Sequence, residues 1–212
     1  MLKRRLQRGD TLIEVLFAVS VFSFVVVSAL AIMNQGTAAS QRALEIILVR
    51  QQVDAQAETL RFMHDSYVAV YQPGITFNTT DATTSPAEEW YKMVQAIKAN
   101  PQTSASAFTV GETCPSAPGG SFIVDSRNVA FISSVTAMKP ATNFAQVTYD
   151  SHGAFSGAEG LWVEAVRSQQ SPDANQSNTG FIDFHIRACW DSAGLPVPMS
   201  SGTIVRLYEP RG

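Results

Sequence analysis

Arg8-Gly9-Asp10-Thr11-Leu12-Ile13-Glu14-Val15 opens the most telling stretch of this 212-residue chain. A short basic segment ends in glycine, one carboxylate follows five residues later, and an uncharged apolar run begins at once. Val15 to Met33 holds 19 residues without a charge, and the next charge is Arg42. At ~1.5 Å rise per residue a helix over that run covers about 28 Å, close to the ~30 Å hydrocarbon core of a bilayer. Glu14 sits at its edge, where a carboxylate costs free energy, up to roughly 2.5–3.5 kcal/mol at mid-bilayer. An acid kept in such a place is a functional hypothesis, and its natural complement is a positive charge within the membrane. Cutting after Gly9 would create one, a new N-terminal amine.

Gly9-Asp10-Thr11-Leu12-Ile13-Glu14-Val15 resembles the cleavage-and-methylation signature of type IV prepilins and type II secretion pseudopilins, usually Gly-Phe-Thr-Leu-Ile-Glu-Leu/Val. The resemblance covers about residues 1–36 and implies the rest. A prepilin peptidase cuts the Gly9–Asp10 bond, the new amine of Asp10 is N-methylated, and Glu14 docks the subunit among homologous pilin subunits in a filament. Residues 1–9 are then the leader, 10–36 the transmembrane and filament-core helix, and 37–212 an amphipathic half-helix plus a globular head. Asp10 departs from the family, which places an apolar residue there. On a helix Asp10 lies at i, i+4 from Glu14 with like charge, an unfavourable pair. A minor pilin or pseudopilin accommodates that more easily than a major subunit.

Charge distribution agrees with export. The formal charge is −3, from 15 basic and 18 acidic residues, but Lys3, Arg4, Arg5 and Arg8 all precede the cut. Without them 11 basic residues face 18 acidic ones, near −7. A basic stub before the apolar run places the N-terminus in the cytoplasm and the head outside. No Lys/Arg stripe follows, so nucleic-acid contact by the head is not expected. Two rival readings stay open. Ser28-Ala29-Leu30-Ala31 contains an Ala-x-Ala, which would release a secreted protein after Ala31. A single-pass anchored binding protein would need no cut at all. The Arg8-Gly9-Asp10 tripeptide, familiar from cell adhesion, is set aside by its position beside a membrane span.

The helix is expected to continue past the membrane. Ala38 to His64 holds no proline or glycine, and Ile46, Val49, Val53, Ala57 and Leu60 recur at helical spacing on one face. Gly36 costs ~1 kcal/mol against alanine and marks either a flexible point or a tolerated interruption. Pro73-Gly74 ends the element. After a polar loop from Thr79, Ser85-Pro86-Ala87-Glu88 reads as a capping box with proline at the first helical position. A short helix follows to about Ala99, burying Trp90, Val94 and Ile97.

Beyond it the period becomes two. Phe122–Val124, Val129–Val135, Phe144–Tyr149, Leu161–Val166, Phe181–Trp190 and Thr203–Tyr208 are predicted strands, the last three a meander joined by the loops Ser168–Gly180 and Asp191–Gly202. In the longest, Ile182, Phe184, Ile186, Ala188 and Trp190 share one face, and Asp183, His185, Arg187 and Cys189 the other. The fold class is therefore α+β, a long N-terminal helix packed on an antiparallel sheet, which is also the layout the family resemblance implies.

Nothing in the head reads as a catalytic set. His64, His152 and His185 lack paired ligand spacing, so no zinc site is expected and each reads as a surface or strand-face histidine. The serines lack a strand–turn–helix context, and Gly153, Gly157 and Gly160 read as turn residues. Asp173, Asn175 and Asn178 form a polar loop without the carboxylate run of a calcium site. No enzyme activity and no cofactor are expected. Cys114 and Cys189 are the only cysteines, and in an exported protein they form either one disulfide or two free thiols.

Overall fold

The computed structural model describes residues 10–77, 85–108, 111, 113–168 and 180–210. The chain divides into two compact units, Met1–Leu44 and Glu45–Gly212. Helix α1, Asp10–Val70, contributes to both. It runs through Gly36 without a break, and a Cβ there would meet nothing within 4 Å, so this glycine is a tolerated helical residue. Gln72-Pro73-Gly74-Ile75 turns the chain after α1. Proline occupies the second position, Gly74 takes φ +83° at the third, and Ile75 N–H donates to Gln72 O at 3.0 Å.

Helix α2, Pro86–Ala99, starts on the expected capping box. Glu88 N–H donates to Ser85 Oγ at 3.3 Å, and Ser85 N–H donates back to Glu88 Oε2 at 2.5 Å. Two of the amide groups that a helix start leaves without partners are satisfied reciprocally. Trp90, Met93, Val94 and Ile97 are buried on its inner face.

Among the described residues, eight strands make three sheets. β1 (Ile123–Asp125) and β2 (Ala130–Ile132) form an antiparallel pair. β3 (Met138–Lys139), β4 (Gln146–Tyr149) and β5 (Phe155–Glu159) form the order β3-β5-β4, with β3 parallel to β5. β6 (Leu161–Arg167), β7 (Phe181–Trp190) and β8 (Met199–Tyr208) form an antiparallel meander. Its register runs without a slip from Leu161↔Ala188 to Arg167↔Ile182, and from Phe181↔Tyr208 to Trp190↔Met199. A period-two strand whose register is pinned by one buried face behaves this way.

The core of the second unit follows from those faces. Val49, Val53, Ala57, Leu60 and Met63 of α1 are buried in one cluster with Ile182, Phe184, Ile186, Ala188 and Trp190 of β7. Ile46 packs against the cluster half-buried. Burying such side chains contributes roughly 1.5–3 kcal/mol each, and Leu60→Ala alone would cost about 2–5 kcal/mol.

Several boundaries differ from the sequence expectation. Phe155–Glu159 is a strand where turn residues were expected, and its Gly157 has a structural reason. A Cβ there would sit 3.1 Å from Ala137 O, so glycine permits that backbone approach. Gly160, at φ +60°, makes the tight step from β5 to β6, and a Cβ would lie 2.2 Å from Cys189 O. β8 starts four residues before the expected Thr203, because Met199–Gly202 continue the ladder opposite Arg187–Trp190. The expected strand Val129–Val135 shortens to Ala130–Ile132, since Val129 at φ +52° belongs to the preceding turn and Val135–Ala137 is a 3-10 turn.

Candidate functional site: the apolar half of the long helix

The residues singled out by sequence lie at the start of α1. Gly9 is outside the described residues, and of Asp10 only its place as the first helical residue is described. Glu14 follows one turn later and is exposed. Around and beyond it the apolar side chains are exposed on every side: Ile13 is 70% exposed, Phe17 71%, Phe24 76% and Ile32 69%. Water would oppose an apolar surface this continuous, and exposed patches beyond a few hundred Å² mark interaction or membrane surfaces. α1 is long and apolar enough to cross a membrane.

Its polar groups are managed as a low-dielectric setting requires. Ser20, Ser23 and Ser28 each donate to the carbonyl four residues back, Leu16, Val19 and Phe24, at 2.8, 2.8 and 2.7 Å. Thr37 donates to Asn34 O at 2.9 Å just beyond. A hydroxyl bonded within its own helix needs no water. Glu14 is the sole ionisable side chain of the described segment Leu12–Ser40. Chemically the segment offers a nonpolar cylinder with one acceptor pair near its beginning.

In the second unit, ionisable and amide groups serve the fold. Glu45 Oε2 accepts from Trp190 Nε1 at 3.2 Å, and Gln52 Oε1 accepts from Val147 N–H at 3.2 Å. Gln56 exchanges two bonds with the Val124 backbone. Sequence reasoning missed these three. Their signal is the spacing i, i+7, i+11, which lays polar tips beside the Val49–Val53 stripe. Buried Glu89 accepts from Phe131 N–H at 2.7 Å, and Glu164 accepts from Ser106 N–H at 2.8 Å and pairs with Arg187 at 3.2 Å.

His64 is not a free surface group. Its Nε2 lies 2.8 Å from Tyr208 O, and its ring packs edge-on against Trp90 with centroids 5.0 Å apart. His185 lies on the outer face of β7, held below its ordinary pKa by burial and then by Arg187. His152 is exposed in the turn after β4. Among the described residues no cluster of three or more His, Cys, Asp or Glu is placed to hold a metal ion. The loop with Asp173, Asn175 and Asn178 lies outside the described residues.

Cys114 and Cys189 form a disulfide with Cα atoms 5.6 Å apart. Cys189 is on the β7 face opposite the core stripe, yet it is fully buried, because the segment around Cys114 covers that end of the sheet. Phe108 stacks edge-on to Trp162 on the same face.

No family model, no curated protein and no solved structure matches this chain.

Proposed function

We propose that this chain is a structural subunit of a type IV pilus-like or type II secretion-like filament, a minor pilin or pseudopilin processed after Gly9. One observation carries the reading. A single helix begins with an exposed apolar half, whose segment Leu12–Ser40 carries one carboxylate, Glu14, and ends in an amphipathic half whose apolar face is buried in a folded core. The proposed mechanism is packing. Prepilin peptidase cuts the Gly9–Asp10 bond, the subunit waits in the membrane with its head outside, and the apolar halves of homologous subunits then bundle into a filament core. Van der Waals contact and lipid release drive that association, since lipid is as apolar as the side chains. Glu14 neutralises the terminal amine of a neighbouring subunit, a pairing that low dielectric makes selective because either charge alone is costly there.

The experiment is Glu14→Ala in the native host, with processing, membrane retention and recovery in sheared filaments measured separately. The reading expects processing and retention to survive while filament recovery falls at least tenfold. Undiminished recovery in filaments would remove the docking role.

A further inference from the structure

We propose that the head carries a binding pocket for a neutral polyhydroxylated ligand about the size of one sugar ring. The pocket stands independently of the role given to α1. β6 is an outer strand of its sheet, and two single-residue bridges flank its free edge. Phe122 exchanges both backbone bonds with Val163, at 3.0 and 2.8 Å, and Gln102 O accepts from Arg167 N–H at 3.1 Å. Where these two covering segments diverge, beside Ala165, a cavity of about 290 Å³ remains, closed on the far side by the last turn of α2. That volume sits at the lower end of small-ligand pockets, roughly 300–1,000 Å³.

Its lining selects a chemical class. Asn100, Gln102, Ser121 and Ser133 bring amides and hydroxyls, while Phe122 and Phe131 bring an apolar wall. None of the described residues lining it carries a charge. An ionic ligand would therefore be desolvated without a counter-charge, which is expensive. A purely apolar ligand would leave the amides unanswered. The Ser121 hydroxyl decides between filler and ligand. Ser121 is 1% exposed, and its Oγ finds no hydrogen-bond partner among the described residues. A buried hydroxyl without a partner is a defect native folds rarely keep, and Ser121 lines the cavity where a ligand hydroxyl would supply one. A ring with hydroxyls on its edge and C–H groups on its face meets both parts of the lining.

The test uses the full chain in dodecylphosphocholine micelles, a detergent without a sugar headgroup. Amide and methyl NMR signals are followed during titration with D-glucose, D-galactose and N-acetyl-D-glucosamine, with n-butanol and inorganic phosphate as apolar and anionic controls. The expected result is a saturable response to at least one sugar centred on Gln102, Ser121 and Ala165. Ser121→Ala should weaken it roughly 3- to 10-fold, the loss of one hydrogen bond, without lowering the melting temperature. Ala96→Leu, at a half-exposed lining position that suits a helix, should abolish it by filling the space. No saturable response to any sugar, as for a cavity that holds water alone, would overturn the proposal. So would a response to n-butanol or phosphate in place of the sugars, or a sugar response unchanged in Ala96→Leu.

Discussion

Gln56 and Val124 bind each other twice: Gln56 Nε2 donates to Val124 O at 2.7 Å, and Val124 N–H donates to Gln56 Oε1 at 2.9 Å. Both residues are fully buried, and the pair ties α1 to the central residue of β1. The amide thus answers the N–H and C=O of Val124 as a strand backbone would. Gln56→Leu keeps the volume and removes both partners, leaving a buried N–H and C=O unanswered. Each orphaned group costs about 1–3 kcal/mol, so thermal or denaturant unfolding should show a loss of about 2–6 kcal/mol. A loss below about 0.5 kcal/mol, the scale of ordinary surface substitutions, would mean the staple contributes little.

The disulfide closes a sequence separation of 75 residues. Loop entropy for that length predicts a contribution of about 4 kcal/mol. Paired replacement Cys114→Ser with Cys189→Ala should lower stability by about that amount, and reducing agent should reproduce the shift in the unaltered chain. Equal melting curves with and without reductant would contradict it.

Stability should fall in two stages as the solution is acidified. On β7, burial and then Arg187 hold His185 below its ordinary 6.5, with Asp183 and Glu164 opposing. Two hydrogen bonds of 2.7 Å from Arg206 hold Asp183 below its ordinary 3.8. For both groups the folded value lies under the unfolded one, so between the two the unfolded chain binds more protons and stability rises with pH. Each contribution is complete above the unfolded pKa and is lost as pH falls through the folded value. Melting temperature should therefore decline first below about pH 6.5 and again below about pH 4. His185→Gln should flatten the first decline and leave the second.

Trp190 and Glu45 offer a further check where α1 enters the head. Trp190 is 1% exposed, and its indole N–H reaches Glu45 Oε2. Glu45→Ala leaves that donor without its partner and should cost about 1–2 kcal/mol, while Glu45→Gln, which keeps an acceptor, should recover most of it. Equal losses in the two variants would assign the effect to helix charge and not to the indole.

Much of the architecture was legible because it rests on periodicity. The Val49–Leu60 stripe, the Ser85 capping box and the alternation of β7 each repeat a local rule often enough to outweigh exceptions. β5 was illegible because Gly157 suits a turn as well as a strand, and the pairing with β4 and β3 that decides is made only on folding. The first four residues of β8 were hidden for a similar reason, since Met199-Ser200-Ser201-Gly202 has loop composition and becomes strand only opposite Arg187–Trp190. The Gln56 staple was missed because an amide beside an apolar stripe looks like an ordinary surface residue until the sheet arrives. Glu14 stands out in the sequence because a charge at the edge of a span is unusual, whereas Asn100, Gln102, Ser121 and Ser133 meet only after folding.

The central claim is that processing makes a cation for Glu14 to neutralise. Intact-mass analysis and N-terminal sequencing of the membrane-extracted protein from its native host test it most directly. The account expects a chain that starts at Asp10 and lacks residues 1–9, with or without one methyl group on its amine. A chain starting at Ile32, or one retaining residues 1–9, would contradict it.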